Sequence, residues 1–296
     1  MFIGSQAIGY HCLNEILKLK IEVKAIFTFL PEKHEKWEKS VDELAEKNKI
    51  KLFYPEQLTI EKMRKLNPQL IVVIGYRKIF PNEILDIPKF GVVGIHSSLL
   101  PILRGQAPLN WAIILGHKKT GATLFKMDKG IDTGKIIDQV KIPIKIDDTV
   151  LILRKKIEEK SKIMIRKNIK KILLGKSKFI TQPENGTYGC ARIPEDGKIN
   201  WEKSNYEIHN LIRASDSSYP AFTFLNNKKF FITLSKIPKN KNRLFGSPGQ
   251  VGMTHKDGHV TIITGDGELR ILEIENSKRK KISPKVILNS TKLRLG

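Results

Sequence analysis

The chain has 296 residues, 40% of them hydrophobic and 28% charged, which is ample for one large or two ordinary buried cores in a globular protein. The two cysteines, Cys12 and Cys190, argue against a disulfide scaffold, and no apolar run has bilayer length and no basic-then-apolar leader opens the chain, so a reducing, cytoplasmic setting is expected. The formal charge of +23 is shared, +14 over residues 1–185 and +9 over 186–296, which fits Lys-rich solvated faces or a polyanionic partner but not a single basic arm.

Phe2–Gly4 reads as the end of a first strand, so the chain begins abruptly or its true start lies upstream. Gly4-Ser5-Gln6-Ala7-Ile8-Gly9 then turns into a helix over Tyr10–Lys18. That turn is neither a dinucleotide fingerprint nor a P-loop, and no Lys-Ser/Thr pair follows it, so a tight turn explains the glycines better than a nucleotide cofactor does. Cys12 beside His11 is a packing residue of an amphipathic helix, since two adjacent side chains do not make a metal site. A β-rich run at Ile21–Thr28, a charged helix at Trp37–Lys49, a short strand at Leu52–Tyr54 and a helix at Ile60–Leu66 follow. Leu70–Ile74 and Gly91–His96 are apolar runs of the kind found in buried parallel strands. This alternation predicts a Rossmann-like, doubly wound, mostly parallel sheet, in which ligands sit beyond the carboxyl ends of strands, where His96 lies.

A helix at Pro108–Leu115, β-rich segments at Ala122–Met127 and Lys135–Val140, and a long basic helix at Asp147–Leu174 complete the first part. Gly175–Asp196 has Pro183, Gly186, Gly189 and Pro194 with little periodicity and is the best linker candidate, dividing the chain into domains 1–185 and 186–296. Beyond it come a helix at Tyr206–Ala214 and short strands at Ala221–Leu225, Lys229–Leu234, Gln250–Gly252, His259–Ile263 and Glu268–Glu273, a pattern that predicts a small β-barrel.

The densest chemical signal runs from Gly91 to Gly105, where a buried strand delivers His96 into a loop with Ser97, Ser98, Pro101 and Arg104. A core does not tolerate such polar groups unpaired, so they mark either a site or a His satisfied inside a loop network. His96-Ser97-Ser98-Leu99-Leu100-Pro101, then Arg104-Gly105 and Ala107-Pro108, resembles the signature loop of the 10-formyltetrahydrofolate-dependent formyltransferases. The resemblance continues through Thr120-Gly121, Met127-Asp128, Gly130-Ile131-Asp132-Thr133-Gly134, Glu195 to Trp201, Ile212-Arg213-Ala214, Pro248-Gly249 and Gly265-Asp266-Gly267. It covers nearly the whole chain in the order of the two-domain members, whose second domain resembles an OB-type barrel.

The resemblance implies direct formyl transfer to a primary amine, with 10-formyltetrahydrofolate as co-substrate and no metal. His96 matches the catalytic His that takes or relays the amine proton, and Asp132 the Asp that orients it. The family usually has an Asn two residues before that His, donating to the tetrahedral oxyanion. This chain has Gly94 there, so a water, a backbone N–H or Ser98 would have to substitute. For the folate, the matching positions are Tyr76, Arg77, Ile79, Phe80 and Leu99, with Gly130, Ile131 and Asp132; Tyr76 and Phe80 are equally explained as packing residues. For the acceptor they are Ser97, Pro101, Arg104, Gly105, Gln106, Ala107 and Pro108.

Two acceptor branches compete. Gln106 to Trp111 and His209 to Ala214 are closer to the amino-sugar-nucleotide enzymes. Thr28–Lys49 carries acidic residues (Glu32, Glu35, Glu38, Asp42, Glu43) where the methionyl-tRNA enzymes usually have a Gly- and basic-rich insertion that grips the acceptor stem. The charge of +23 and the basic tail Lys278-Arg279-Lys280-Lys281 with Lys285 favour tRNA. The amino-sugar nucleotide is the favoured acceptor and methionyl-tRNA the alternative; Gly94 also raises a third possibility, a folate- or RNA-binding relative without turnover.

Overall fold

A computed structural model describes residues 1–29, 40–76, 81–239 and 244–296. The folate positions Arg77, Ile79 and Phe80, and much of the acidic stretch after the second strand, lie outside the described residues. The chain opens with β1 (Phe2–Gly4), α1 (Gln6–Lys18), β2 (Ala25–Phe27), α2 (Val41–Lys47), β3 (Lys51–Phe53), α3 (Ile60–Leu66), β4 (Ile71–Ile74) and β5 (Val92–His96). β1 pairs in parallel with β2 and β4, β2 with β3, and β4 with β5. After β6 (Arg104–Gly105) and α4 (Pro108–Ile114), β7 (Lys119–Lys126) returns antiparallel against β5, and β8 (Ile136–Pro143) completes the sheet order β3-β2-β1-β4-β5-β7-β8. The doubly wound, mostly parallel sheet read from the alternation is therefore present, with an antiparallel strand beside the one that carries His96.

Central strands of such a sheet are covered on both faces, which is why β4 is four β-branched residues, all buried. Ile3, Phe27, Ile71, Val73 and Val92 pack with Met63 of α3 and Ile84 in one core. α3 is bounded by local chemistry: Thr59 accepts the Lys62 N–H at 3.2 Å, and Asn67 ends the helix in the left-handed region at φ 42°. At the first strand-to-helix turn a Cβ on Gly4 would lie 2.2 Å from the Ile74 carbonyl oxygen, so glycine there serves close packing of β1 on β4.

Chain contacts divide the protein into two compact units, Met1–Gly105 with Thr120–Pro143 and Arg154–Gly189, and Gln106–Lys119 with Ile144–Leu153 and Cys190–Gly296. α5 (Val150–Leu173) belongs mostly to the first. Its Arg166 donates to Glu15 of α1 at 2.6 Å, and its Asn168 to Asp138 of β8 at 2.7 Å. The segment read as a linker is structured: β9 (Tyr188–Gly189) pairs in parallel with β6, and Ile180 bridges to Ile136.

The second unit contains α4, α6 (Asn205–Ala214), β10 (Phe222–Leu225), β11 (Lys228–Lys236), β12 (Val251–Thr254), β13 (Val260–Ile263), β14 (Glu268–Asn276), β15 (Lys281–Ile282) and α7 (Pro284–Ile287). Its strands form one antiparallel sheet in the order β10-β11-β14-β13-β12, with β15 on β14. Among the described residues β10 and β12 do not pair with each other, so the sheet is a half-barrel. Ile208 and Ile212 of α6 fill its core with Trp201, Ile232, Ile262 and Ile271. α6 starts at a capping box in which Ser204 and Glu207 exchange hydrogen bonds; these hold the Glu207 carboxyl at a pKa of about 2.

Candidate active site

His96 ends β5, opposite Thr123 of β7, while Val93 lies opposite Lys126. The loop after β7 therefore starts beside the beginning of β5, where Met127 N–H donates to the Val92 carbonyl at 2.8 Å. It folds back so that Asp132 Oδ2 comes 3.4 Å from His96 Nδ1. Inside the loop, Asp128 Oδ1 accepts from Gly130 N–H (3.1 Å) and the Thr133 hydroxyl (2.6 Å), a local turn that presents residues 130–132. Asp132 itself has φ 54°, a left-handed conformation that Asp adopts more readily than most residues but that still needs support.

The imidazole is buried and sits between two acceptors. Its Nε2 is 2.7 Å from the Leu103 carbonyl; a carbonyl can only accept, so Nε2 carries the proton in that bond. Nδ1 is then the nitrogen that faces Asp132 Oδ2, and a hydrogen bond between the two requires a proton on Nδ1 or on the carboxyl. The same Oδ2 also accepts from Gly105 N–H at 2.8 Å, which fixes the carboxylate. Two loops, 97–105 and 128–134, thus converge on one His–Asp pair.

The 97–105 loop is anchored below by strand side chains. Thr123 donates its hydroxyl to the Ser98 carbonyl (2.7 Å) and accepts from Leu100 N–H (3.2 Å) and Gln139 Nε2 (2.8 Å). Leu103 N–H donates to Thr187 Oγ1 at 2.8 Å. The single hydroxyl hydrogen of Ser98 goes to the Ile102 carbonyl at 2.6 Å, so Ser98 braces the loop and has no hydrogen left for an oxyanion. Arg104, matched above to an acceptor contact, is 3% exposed. Its guanidinium donates to Gln182 Oε1, the Pro183 carbonyl and Tyr188 Oη, so its donors stabilise the loop itself.

The remaining positions scatter. Gly94 is buried on β5, two residues before His96 and therefore on the same strand face. A Cβ there would lie 3.3 Å from the Val73 carbonyl oxygen and 3.4 Å from Met127 Sδ and the Phe125 ring, and no positive φ requires glycine. Leu99 packs so closely on Gly121 that a Cβ on that glycine would be 2.4 Å from it. Ser97, Pro101 and Gly105 are half-buried, and Ile131 is 59% exposed at its loop tip. Gln106, Ala107 and Pro108 start α4 in the second unit. Tyr76 stacks on Phe29 with ring centroids 5.0 Å apart, and burial raises its phenol pKa, a packing environment. No group of three or more His, Cys, Asp or Glu side chains among the described residues could hold a metal, and no helix among them is long and apolar enough to cross a membrane.

Comparison with known proteins agrees with this geometry. The family described as "Formyl transferase" matches residues 29–169, and "Formyl transferase, C-terminal domain" matches 193–292. A methionyl-tRNA formyltransferase from Acetivibrio thermocellus is 33% identical over 292 residues, covering 96% of this chain and 93% of the relative. The bifunctional polymyxin resistance protein ArnA of Wigglesworthia glossinidia brevipalpis is 39% identical over 238 residues, 78% of this chain but 36% of that protein. Among solved structures, WlaRD, a sugar 3N-formyltransferase crystallised with dTDP and 5-N-formyl-THF, matches with a TM-score of 0.71 and 26% identity over 91% of this chain and 95% of that one. An N-formyltransferase from Helicobacter canadensis, in complex with folinic acid and dTDP-3-aminofucose, matches with a TM-score of 0.70 and 25% identity over 95% and 98%. With both domains matched and the His–Asp pair assembled, the chain belongs to the 10-formyltetrahydrofolate-dependent formyltransferase family and is a folate-dependent formyl-transfer enzyme.

Proposed function

We propose that this chain transfers the formyl group to the primary amine of an amino sugar carried on a nucleotide. The single observation that carries the chemistry is the His96–Asp132 contact, with Gly105 N–H donating to the same carboxylate oxygen. An attacking amine has to lose a proton as it adds to a carbonyl carbon, and a His–carboxylate pair at contact distance suits that transfer. With Nε2 donating to Leu103, Nδ1 receives the proton, and Asp132 stabilises the imidazolium that results. As the amine nitrogen bonds to the formyl carbon of the co-substrate, the bond from that carbon to the folate nitrogen breaks, and the proton is returned to that nitrogen as tetrahydrofolate leaves. On the protein side, the exposed Ile131 and the backbone of residues 130–132 offer an apolar and hydrogen-bonding edge suited to a flat, amide-edged heterocycle.

The sugar acceptor is supported by the pattern of Gln106 to Trp111 and His209 to Ala214, and by likeness over nearly full length to two sugar formyltransferases whose structures contain dTDP or a dTDP-linked amino sugar. The second reading, methionyl-tRNA, is favoured by the full-length relatives of that name at 32–33% identity and by the net charge of +23. Incubating the purified protein with 10-formyltetrahydrofolate and each acceptor, and following tetrahydrofolate release, separates them. Release with amino-sugar nucleotides is expected. Release with methionyl-tRNA alone would reverse the ranking, and release with neither would turn the proposal toward a binding protein.

A further inference from the structure

We propose that Gln182 is a positioning residue for formyl transfer: its one amide ties the loop carrying Asp132 to the loop carrying Gly105, and so sets the angle at which Asp132 meets His96. Gln182 is 8% exposed and comes from the segment whose composition suggests a linker. Its Nε2 donates to two carbonyls of the Asp132 loop, that of Asp132 itself at 2.8 Å and that of Gly134 at 2.7 Å. Its Oε1 accepts twice from Arg104, from Nε at 3.1 Å and Nη2 at 2.9 Å. Both amide hydrogens and both oxygen lone pairs are therefore in use.

These bonds form a closed circuit. Asp132 Oδ2 accepts from Gly105 N–H, Gly105 follows Arg104 in the chain, Arg104 donates to Gln182, and Gln182 donates back to the Asp132 carbonyl. The acceptors of the Arg104 guanidinium are all neutral, so its charge polarises the Gln182 amide and strengthens the two N–H bonds on the far side. Asp132 needs such support, because its backbone is in the left-handed region.

The inference rests on His96 and Asp132 being the chemical pair, so H96A and D132A accompany the test. The informative variant is Q182E, which still accepts from Arg104 but turns an acceptor toward two carbonyls that need donors. With tetrahydrofolate release as the assay, run well below the urea transition, kcat is expected to fall on the order of 100-fold with KM for both substrates unchanged, while the urea midpoint drops because two carbonyls lose their donors. Should Q182E not fold, Q182N, one carbon shorter, gives the same comparison. Wild-type kcat in the folded variant, or a fall in kcat matched by a comparable rise in KM for both substrates, overturns the positioning role. If H96A and D132A keep their turnover, the pair and the inference both fall; if they abolish it while Q182E stays active, only the inference does.

Discussion

Gly94→Asn tests whether the site lacks an oxyanion donor. The new side chain would emerge on the strand face that carries His96, and the backbone needs no positive φ there. Its Cβ would come 3.3 Å from the Val73 carbonyl oxygen and 3.4 Å from Met127 Sδ and the Phe125 ring, so the neighbours must give by a few tenths of an ångström. The tight contact is with the Val73 backbone, which β5 must relieve by a small shift against β4, while the Met127 thioether can turn aside for the rest of the side chain. The fit costs about 1 kcal/mol of stability. A fully formed oxyanion donor contributes about 2.7–4 kcal/mol to the transition state; about half of that is expected from an amide in a tight pocket, roughly 1.4–2 kcal/mol or about 10- to 30-fold in kcat. Single-turnover tetrahydrofolate release at saturating co-substrate measures the gain, and urea denaturation measures the cost. An unchanged or lower rate in a folded variant would refute the missing-donor reasoning and show that Gly94 serves a site geometry of its own.

His96→Ala and Asp132→Ala are each expected to reduce turnover by at least about 100-fold with the urea midpoint retained, which steady-state kinetics and denaturation check together. Arg104→Met leaves Gln182 Oε1, the Pro183 carbonyl and Tyr188 Oη without their donor and should lower stability by about 3 kcal/mol, read from the shift in the urea midpoint. Burial holds His209 below its ordinary pKa, and it is bonded as the neutral imidazole between Ser235 Oγ and the Ile146 carbonyl. The unfolded chain takes up a proton below about pH 6.5 that the folded chain resists, so stability falls as pH drops through and below that value. His209→Gln should flatten the difference between urea midpoints at about pH 7.5 and pH 5.5.

Much of the fold was readable because it rests on local signals. Four β-branched residues in a row mark β4, and helical spacing with a Ser-x-x-Glu start marks α6. His96 stood out because polar groups mass where a buried strand surfaces, and Asp132 only through the family resemblance of residues 130–134. What holds those two residues was not readable. Thr123 sits in an alternating strand like any packing residue, and Gln182 lies in a Pro- and Gly-containing stretch without periodicity. Their partners are 25 and 50 residues away, and no spacing rule connects such distances. For the same reason Arg104 resembled a ligand-binding arginine, although its charge is turned inward to the 182–188 segment. Ser98 misled in the opposite sense, because a serine in a site loop looks free until its hydrogen is found on the Ile102 carbonyl.

The weaving of the chain between the two compact units bears on how such a protein can be taken apart. Two short pieces that precede residue 154, 106–119 and 144–153, belong with the second unit. They supply the carbonyls of Lys145 and Asp148 to Arg213, the carbonyl of Ile146 to His209, and the donors Asn110 and Trp111 to the carbonyls of Ala214 and Cys190. A fragment beginning near residue 186 would carry a buried guanidinium and a buried imidazole stripped of these acceptors. The second unit is therefore not a transferable module: recombination or truncation at one point in the gene separates it from pieces of its own interior.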